Sequence, residues 1–364
     1  MRRRHNEDLD TQTFGQEVKL SWLNLLTDIE DLEDADFDAA LVAQFEAAAR
    51  HRDPRPIRFS TPTFKEYETS ELSGCSKNSF PAFSITAAAC GLNCDHCQKK
   101  ILEPMIPATN PEMLDQKVRQ LIESQELTGF LLSGGSNKRN EINYSRYLPV
   151  VEQLKNDYPG LKIAVHSALM KEQQAKAMES AGVDTVMMDV IGAQETIRQV
   201  YKLDRPVADF EETLAALCST AMEVTPHIVI GLHYGEILGE ANALDIVSRY
   251  PVAALVLVVI MPFYSKPGTF VTPSTNDVGR IFGEARVRLP DKQVLLGCAR
   301  PPGMHKRVTD AYAIMAGLDG IAFPADGAVS VAHSIGRPFE QAHSCCSIKL
   351  GSNIKTALER SCAA

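Results

Sequence analysis

The stretch LKIAVHSALMKEQQAKAMESAGVDTVMMDVI, residues 161–191, contains an apolar run, a segment with helical periodicity and a second apolar run. The two apolar runs are short, which is typical of buried strands. The middle segment, KEQQAKAMESAG at 171–182, ends at a glycine, as helices often do. We therefore predict a strand, a helix and a second strand, the repeating unit of a parallel sheet.

The same alternation continues on both sides of this unit. Helical segments such as PEMLDQKVRQLIESQ (111–125) and FEETLAALCSTAM (210–222) separate further short apolar runs. Eight units over about 260 residues match a (β/α)8 TIM barrel. A doubly wound open sheet is the alternative, and the number eight favours closure. The eight candidate strands are FSITAA (83–88), TGFLLSG (128–134), LKIAVHS (161–167), DTVMMDVI (184–191), TPHIVIGL (225–232), ALVLVVIMP (254–262), QVLLGCA (293–299) and DGIAFP (319–324).

The predicted barrel occupies residues 76–340 and has an extension on each side. Residues 1–75 begin polar and acidic and then show helical periodicity, which predicts a small helical or wrapping extension. The proline-rich stretch DPRPIRFSTPTF (53–64) predicts a linker or a wrapping segment. Residues 341–364 form a tail that contains cysteines. In the helical part of the extension, one face carries Phe37, Leu41, Phe45 and Ala49.

Composition narrows the class of protein. The chain has 364 residues, 45% of them apolar, and 37 basic against 46 acidic residues give a net charge of -9. That balance gives no electrostatic footprint for nucleic acid or for an anionic membrane. The N-terminus lacks the apolar core of a secretory signal, and the most apolar run, 252–261, is too short to cross a bilayer. We expect a cytoplasmic protein whose nine cysteines serve metal ligation or redox chemistry, not disulfides.

Three of these cysteines follow the first barrel strand in Cys90-Gly-Leu-Asn-Cys94-Asp-His-Cys97. Thiolates favour zinc or an iron–sulfur cluster. A structural zinc site has four ligands, and no fourth Cys or His completes that pattern, since His96 would have difficulty reaching the same metal. A [4Fe–4S] cluster held by three cysteines leaves one iron open to bind and reduce a small molecule.

The spacing C-x3-C-x2-C after the first barrel strand resembles the signature of the radical S-adenosylmethionine (SAM) superfamily. The resemblance implies a cluster on Cys90, Cys94 and Cys97 that cleaves SAM. It also implies release of a 5′-deoxyadenosyl radical, which abstracts hydrogen from an unactivated carbon.

Further positions are similar to the cofactor-binding motifs of that superfamily. A glycine-rich motif after strand two receives the amino group of SAM, although Ser136 stands where the family has Glu. Strand four ends in a carboxylate that implies a contact to the ribose or methionine end; a helix N-cap is the alternative. Strand five leads into a motif near the adenine, with Tyr234 where Glu is expected. The candidate cofactor-binding residues are His96, Ser133, Gly134, Gly135, Asp189 and His233.

Two later segments resemble the sulfur-inserting branch, in particular biotin synthase. They are Pro267-Gly268-Thr269 and Gly297-Cys298-Ala299-Arg300-Pro301. Two residues apart on a strand, Cys298 and Arg300 would point to the same side. If Leu295 and Gly297 face the helices, that side is the barrel interior, and we expect both residues in the barrel mouth as catalytic residues; a core cysteine and a surface arginine are the alternative.

Three short motifs in order, GLHYGEILGE (231–240), LGCARPPG (296–303) and HSCCS (343–347), resemble the two-subunit type of lipoyl synthase. That resemblance implies a second, auxiliary iron–sulfur cluster as the sulfur donor, with Cys75, Cys345 and Cys346 as ligands. It implies as partners a second lipoyl synthase subunit, an octanoylated lipoyl-carrier protein and an electron donor such as ferredoxin or flavodoxin.

Barrel geometry argues against the auxiliary cluster, because strand one begins and helix eight ends on the face opposite the radical site. The rival functions are another radical SAM enzyme, biotin synthase-like or methylase-like, acting on a small metabolite, and a non-catalytic zinc or iron–sulfur protein.

Overall fold

The computed structural model describes residues 21–52, 55–61, 67–72, 79–124 and 127–342. Eleven strands and eleven α-helices alternate along most of this length. The strands are β1 (Ile57–Ser60), β2 (Ala82–Ser84), β3 (Ile106–Pro107), β4 (Gly129–Ser133), β5 (Lys162–His166), β6 (Thr185–Asp189), β7 (Glu223–Ile230), β8 (Ala254–Val259), β9 (Gln293–Leu296), β10 (Gly320–Ala322) and β11 (Phe339–Ala342).

The helices cover the outside of the sheet and connect its strands. Short 3-10 turns lie at Glu30–Leu32, Lys100–Leu102 and Pro262–Tyr264. The α-helices are α1 (Trp22–Leu26), α2 (Ala39–Ala49), α3 (Pro111–Glu123), α4 (Leu148–Asp157), α5 (Glu172–Ser180), α6 (Gln194–Gln199), α7 (Val207–Cys218), α8 (Glu240–Ser248), α9 (Thr275–Arg288), α10 (Met304–Ala316) and α11 (Ala328–Ser334). Among the described residues, no helix has both the length and the apolar character needed to cross a membrane.

All eleven strands form one parallel sheet in the order β11-β1-β10-β9-β8-β7-β6-β5-β4-β2-β3. The eight predicted strands are confirmed as β2 and β4 to β10, and they follow one another in chain order, as in a TIM barrel. The barrel is partial, because β11 and β3 are the edges and no ladder joins them within the described ranges. Since every pairing is parallel, all strands end at the same edge, here called the carboxyl edge.

Strand register separates a helix-facing side from a concave inner side, here called the lumen. Alternate residues such as Ile163, Val165 and Val186 belong to the large core beneath the helices. The intervening residues form two small separate clusters, one around Ala164 and Met187 and the other of Ala254, Val256 and Leu295. Because side chains alternate along a strand, these clusters identify which side of each strand faces the lumen.

The N-terminal helical prediction is confirmed for α2. Asp38 caps this helix by accepting hydrogen bonds from the backbone N–H groups of Ala40 and Leu41. Leu41 and Phe45 are buried, as the periodicity predicts. Phe37 precedes the helix and packs edge-on against Tyr312, with ring centroids 5.5 Å apart.

The proline-rich stretch contributes more than a linker. Its residues Ile57–Ser60 form β1, which pairs with β10 on one side and β11 on the other. Ile57 and Phe59 are fully buried in the core. The strand was missed because it is four residues long and directly follows two prolines.

After the last helix the chain starts on the face opposite the radical site, as barrel geometry predicts, and it then climbs to the carboxyl edge as β11. After α11, the carbonyl of Pro338 accepts a hydrogen bond from the N–H of Ile57 at the start of β1. Strand β11 then runs parallel to β1 and brings Ala342 level with Ser60. The described part of the chain therefore ends at the carboxyl edge.

Residues 67–72 also lie at this edge. The Tyr67 hydroxyl donates to the carbonyl of Pro324, two residues beyond the end of β10. The carboxylate of Glu71 accepts from the backbone N–H groups of Val329 and Ser330 in the first turn of α11. A carboxylate in this position stabilises a helix N-terminus.

Candidate active site

The cysteine loop, residues 85–99, follows β2 at the carboxyl edge. It contains three non-glycine residues in the left-handed region, Ala87, Gln98 and Lys99, so its path is tightly turned. The Ser84 hydroxyl stabilises the first turn by donating to the carbonyl of Ala87 at 2.7 Å. The loop thus presents three thiols over eight residues, as the sequence predicts.

Two of the thiols are close neighbours. One ligand atom from each of Cys94, His96 and Cys97 lies within 4.8 Å of the others. The Cys94 thiol donates a hydrogen bond to Cys97, which lowers the pKa of Cys97 to about 6 and raises the pKa of Cys94. Cys90 lies nearer the start of the loop, where its Sγ is 3.6 Å from the carbonyl of Ser136.

This donor set fits an iron–sulfur cluster. Three thiols on one short loop match a centre that binds thiolate, and a lowered thiol pKa favours the thiolate that binds iron. Nδ1 of His96 is buried and has no hydrogen-bond partner among the described residues. The residues that would hold the cluster are Cys90, Cys94 and Cys97, with His96 beside them.

The glycine turn after β4 packs directly on the cysteine loop. The N–H of Gly135 donates to the Thr86 hydroxyl at 2.7 Å, and the N–H of Gly91 donates to the carbonyl of Ser136. A Cβ built on Gly135 would lie 2.0 Å from the carbonyl oxygen of Ala89 and 2.6 Å from Cα of Cys90. Glycine is therefore required here for close backbone approach. The structure brings the predicted Ser133-Gly134-Gly135 motif against the cysteines.

Asp189 is connected to the cysteine loop through Tyr201. The Tyr201 hydroxyl donates to the Asp189 carboxylate at 3.3 Å, and the Tyr201 ring stacks on His96 with centroids 4.9 Å apart. Burial, together with the nearby Asp189 carboxylate, raises the pKa of Tyr201 well above its usual value. The N-cap alternative for Asp189 is wrong, because the N-cap of the next helix is Ala193.

His233 lies on the loop after β7, and its Nδ1 is 3.2 Å from the hydroxyl of Thr196. The residue after it, Tyr234, reaches the cysteine loop, where its hydroxyl donates to Asp95 at 3.0 Å. Tyr234 occupies the position where Glu was expected by resemblance, and here it is a contact of the cysteine loop.

A polar wall in the lumen was not predicted. It is formed by three residues on adjacent strands. His166 ends β5, Asp189 ends β6, and His227 lies within β7, directly paired with Asp189. His166 Nε2 is 3.8 Å from the Asp189 carboxylate, and the two imidazole rings lie 5.5 Å apart. Burial, and then the nearby His166, lower the pKa of His227 to about 4, so it is neutral at pH 7. Alternation of side chains along β5 and β7 is the signal that places these histidines inward.

The comparison with known protein families matches the part of the chain that carries this site. The family model of the Radical SAM superfamily matches residues 84–242, which run from β2 through the cysteine loop, the glycine turn, Asp189 and His233. Residues 84–242 therefore resemble a radical SAM domain. Such a domain implies a [4Fe–4S] cluster and SAM as cofactors.

Individual relatives are distant. Biotin synthase from Saccharopolyspora erythraea is 22% identical over 243 residues, which cover 64% of this chain and 65% of that protein. The chain thus spans less than two thirds of the length of this relative. Among solved structures, HydG, a maturase of the [FeFe]-hydrogenase, superimposes with a TM-score of 0.57 at 11% identity, covering 94% of this chain and 80% of that one. Methylornithine synthase superimposes with a TM-score of 0.54 at 12% identity over 93% and 90%.

The prediction that Arg300 lies inside the barrel mouth is wrong. Leu295 faces the lumen, and a Cβ on Gly297 would meet Val256 and Val258 there, so Arg300 falls on the side of the helices. Cys298 is exposed, whereas Arg300 is buried. Arg300 forms a two-pronged ion pair with Asp310, at 2.7 and 2.9 Å.

The remaining donors of Arg300 bind the protein backbone. They donate to the carbonyls of Gly297, Ala322 and Phe323, each at 2.8 Å. All five N–H groups of the guanidinium are therefore used within the fold. Arg300 thus joins the ends of β9 and β10 to α10, and no donor is left for a substrate. The predicted ligands Cys75, Cys345 and Cys346 lie outside the described residues.

Replacement of Arg300 tests this structural role. Lysine has three donors where arginine has five, so Arg300→Lys leaves buried acceptors unsatisfied, each costing about 1–3 kcal/mol. We expect urea unfolding to show a loss of stability of that order. The exposed pair of Arg280 with Asp277 offers the control Arg280→Lys, for which we expect less than about 1 kcal/mol. Unchanged stability together with lost turnover in Arg300→Lys would contradict the structural role and show that Arg300 belongs to the active site.

Replacement of Gly135 tests the packing of the glycine turn on the cysteine loop. Gly135→Ala introduces a Cβ that displaces the loop at Ala89 and Cys90, an overpacking that costs about 1–3 kcal/mol. We expect less iron per chain after anaerobic reconstitution, measured by metal analysis. Gly160→Ala is the matched control, because a Cβ there meets nothing within 4 Å. Equal iron content in both variants would contradict the packing role.

Proposed function

We propose that this radical SAM protein inserts sulfur into a protein-bound octanoyl group, as one subunit of a two-subunit lipoyl synthase. The observation that carries the proposal is that the chain approaches both predicted cysteine segments, 73–78 and 343–347, from the carboxyl edge of the sheet. That is the edge at which the cysteine loop lies.

Separate contacts bring the chain to this edge before each of the two cysteine segments. Leu72 follows Glu71, which is bound to the start of α11 beyond the end of β10. Ala342 ends β11 level with Ser60, the end of β1. Cys75 and Cys345 are each three residues further along the chain, and three extended residues span at most about 11 Å. The proposal therefore assigns Cys75, Cys345 and Cys346 to an auxiliary cluster that supplies sulfur near this edge.

The lumen offers a surface for an alkyl chain. Strands β8 and β9 contribute Ala254, Val256 and Leu295, which are packed together, with the partly buried Val258 beside them. The first three are already buried against one another, so Val258, nearer the carboxyl edge, is the residue of this wall that has exposed area to lose to an alkyl chain, at roughly 25 cal/mol per Å² removed from water. Val258 therefore supports an octanoyl substrate that enters from that edge.

Each part of the site has a task in the proposed reaction. A cluster bound by Cys90, Cys94 and Cys97 supplies the one-electron chemistry that cleaves SAM. The Gly134-Gly135 backbone lies close enough to the cysteine loop to receive the amino end of SAM. Asp189, oriented by the hydrogen bond from Tyr201, accepts hydrogen bonds from the hydroxyl groups of SAM. The lumen holds the target carbon and excludes water, which protects a reactive intermediate from side reactions.

The partners follow from this assignment. A carrier protein must deliver the octanoyl group, a second subunit shares the reaction, and ferredoxin or flavodoxin supplies electrons. The similarity to biotin synthase and the three motifs GLHYGEILGE, LGCARPPG and HSCCS support the sulfur-inserting branch over others.

A variant with Cys75→Ala, Cys345→Ala and Cys346→Ala tests the sulfur source. We expect its iron content to fall to that of one cluster and 5′-deoxyadenosine still to form from SAM, while the octanoyl chain is recovered without sulfur. Cys218→Ala is the matched control, since this partly buried thiol is the last residue of α7, in the outer helix layer. Parental iron content and continued formation of thiolated product in the triple variant would overturn the assignment.

The polar wall favours a second candidate, a radical SAM enzyme acting on a small polar metabolite. His166, Asp189 and His227 would be buried beside an alkyl chain at a cost, and Nδ1 of His227 has no partner among the described residues. A polar substrate would satisfy that atom. This candidate predicts one cluster per chain, where the lipoyl synthase proposal predicts two.

A further inference from the structure

We propose that three residues, Asp95, Lys202 and Tyr234, here called the loop clamp, position the Cys94–Cys97 segment. The clamp thereby sets the stability and the reduction potential of the cluster. Asp95 is one of the variable positions within the cysteine motif, and Lys202 and Tyr234 lie outside the cysteine and glycine motifs. The inference concerns the radical SAM site itself and does not depend on which substrate the protein uses.

Asp95 is the centre of the clamp and lies between Cys94 and His96. Its carboxylate accepts a hydrogen bond from Nζ of Lys202 at 2.8 Å and from the hydroxyl of Tyr234 at 3.0 Å. Its backbone N–H donates to the carbonyl of Val200 at 2.9 Å.

The two partners come from different loops. Lys202 follows α6, on the connection between β6 and β7, and Tyr234 follows β7. The clamp therefore ties the cysteine loop of β2 to the two loops on the opposite part of the partial barrel. Among the described residues, the other side-chain links from the Cys94–Cys97 segment to these loops are two contacts with Tyr201. The His96 ring packs on the Tyr201 ring, and the Cys94 thiol lies near the Tyr201 carbonyl.

Backbone strain at both partners points to a constrained arrangement. Lys202 has φ +54° and Tyr234 has φ +55°, both in the left-handed region. For non-glycine residues this conformation is unfavourable and persists where surrounding contacts hold it. Tyr234 is held on its other side by Phe270, with ring centroids 5.0 Å apart, and by the N–H of Val271, which donates to its carbonyl.

The first and later cysteines are thus held by different means. At Cys90, backbone contacts of the glycine turn fix the loop, as described above. Between Cys94 and Cys97, side chains fix it, and two of these side chains carry opposite charges. Asp95 and Lys202 are close to each other and to the cysteines, so each acts on the charge of a bound cluster, which becomes more negative on reduction.

Two variants that change charge are expected to shift the midpoint potential of the cluster in opposite directions. Asp95→Asn keeps the shape of the side chain but leaves the positive charge of Lys202 uncompensated, which favours the reduced cluster. We expect its midpoint potential to rise. Lys202→Met removes the positive charge and should lower the potential. A purely structural role for the clamp would not produce shifts of opposite sign.

Tyr234→Phe removes the hydroxyl that contacts Asp95 and the carbonyl of Gln199, each at 3.0 Å, and changes no charge. We expect a potential near that of the parent, with loss of the cluster in air roughly tenfold faster, the change expected from losing one hydrogen bond to a charged group. Lys176→Met is the control for charge, because Lys176 pairs with Glu172 on the exposed surface of α5. It should change neither quantity.

The experiment uses the full chain, reconstituted without oxygen. Midpoint potentials are measured by dye-mediated titration followed by electron paramagnetic resonance, and cluster loss is followed by absorbance in air. Circular dichroism checks that each variant is folded. Shifts in the same direction for Asp95→Asn and Lys202→Met, or no shifts, together with parental air stability of Tyr234→Phe, would overturn the proposal. Because no octanoyl substrate is involved, this outcome is separate from the test of sulfur insertion.

Discussion

All strands of the sheet run in the same direction, and the rest of the site depends on this constraint. Each loop that follows a strand arrives at one edge, so residues that are more than a hundred positions apart in the chain become neighbours there. The cysteine loop after β2, the glycine turn after β4, Asp189 at the end of β6 and Tyr234 after β7 meet for this reason. The extra strand β11 is subject to the same constraint and brings the end of the described chain to that edge.

The cysteine loop is the part of this edge where geometry is most restricted. A glycine turn leaves no room for a Cβ on one side, and the loop clamp joins it to two further loops on the other. Such restriction suits a loop that must present three thiols to one cluster. It also explains why several residues in and around the loop occupy the left-handed region, where contacts must offset the conformational cost.

Much of this arrangement could be predicted from the sequence, because it is encoded locally. Apolar runs of five to eight residues identify buried strands, and the cysteine and glycine motifs follow directly after them. The strands β1, β3 and β11 were missed, since two to four residues give too little periodicity. Arg300 was misplaced because alternation alone does not say which side of a strand faces inward; Leu295 faces the lumen, so Arg300 falls on the side of α10. The loop clamp was missed because its contacts join residues 107 and 139 positions apart, which no local pattern records.

The central claim is that three cysteines of one loop hold a cluster with an open iron that binds SAM. The most direct measurement is Mössbauer and electron paramagnetic resonance spectroscopy of the chain purified without oxygen, before and after addition of SAM. We expect a [4Fe–4S] spectrum in which one iron site and the signal of the reduced cluster change when SAM is added. A colourless protein with stoichiometric zinc, or a cluster whose spectra are unaffected by SAM, would contradict the account.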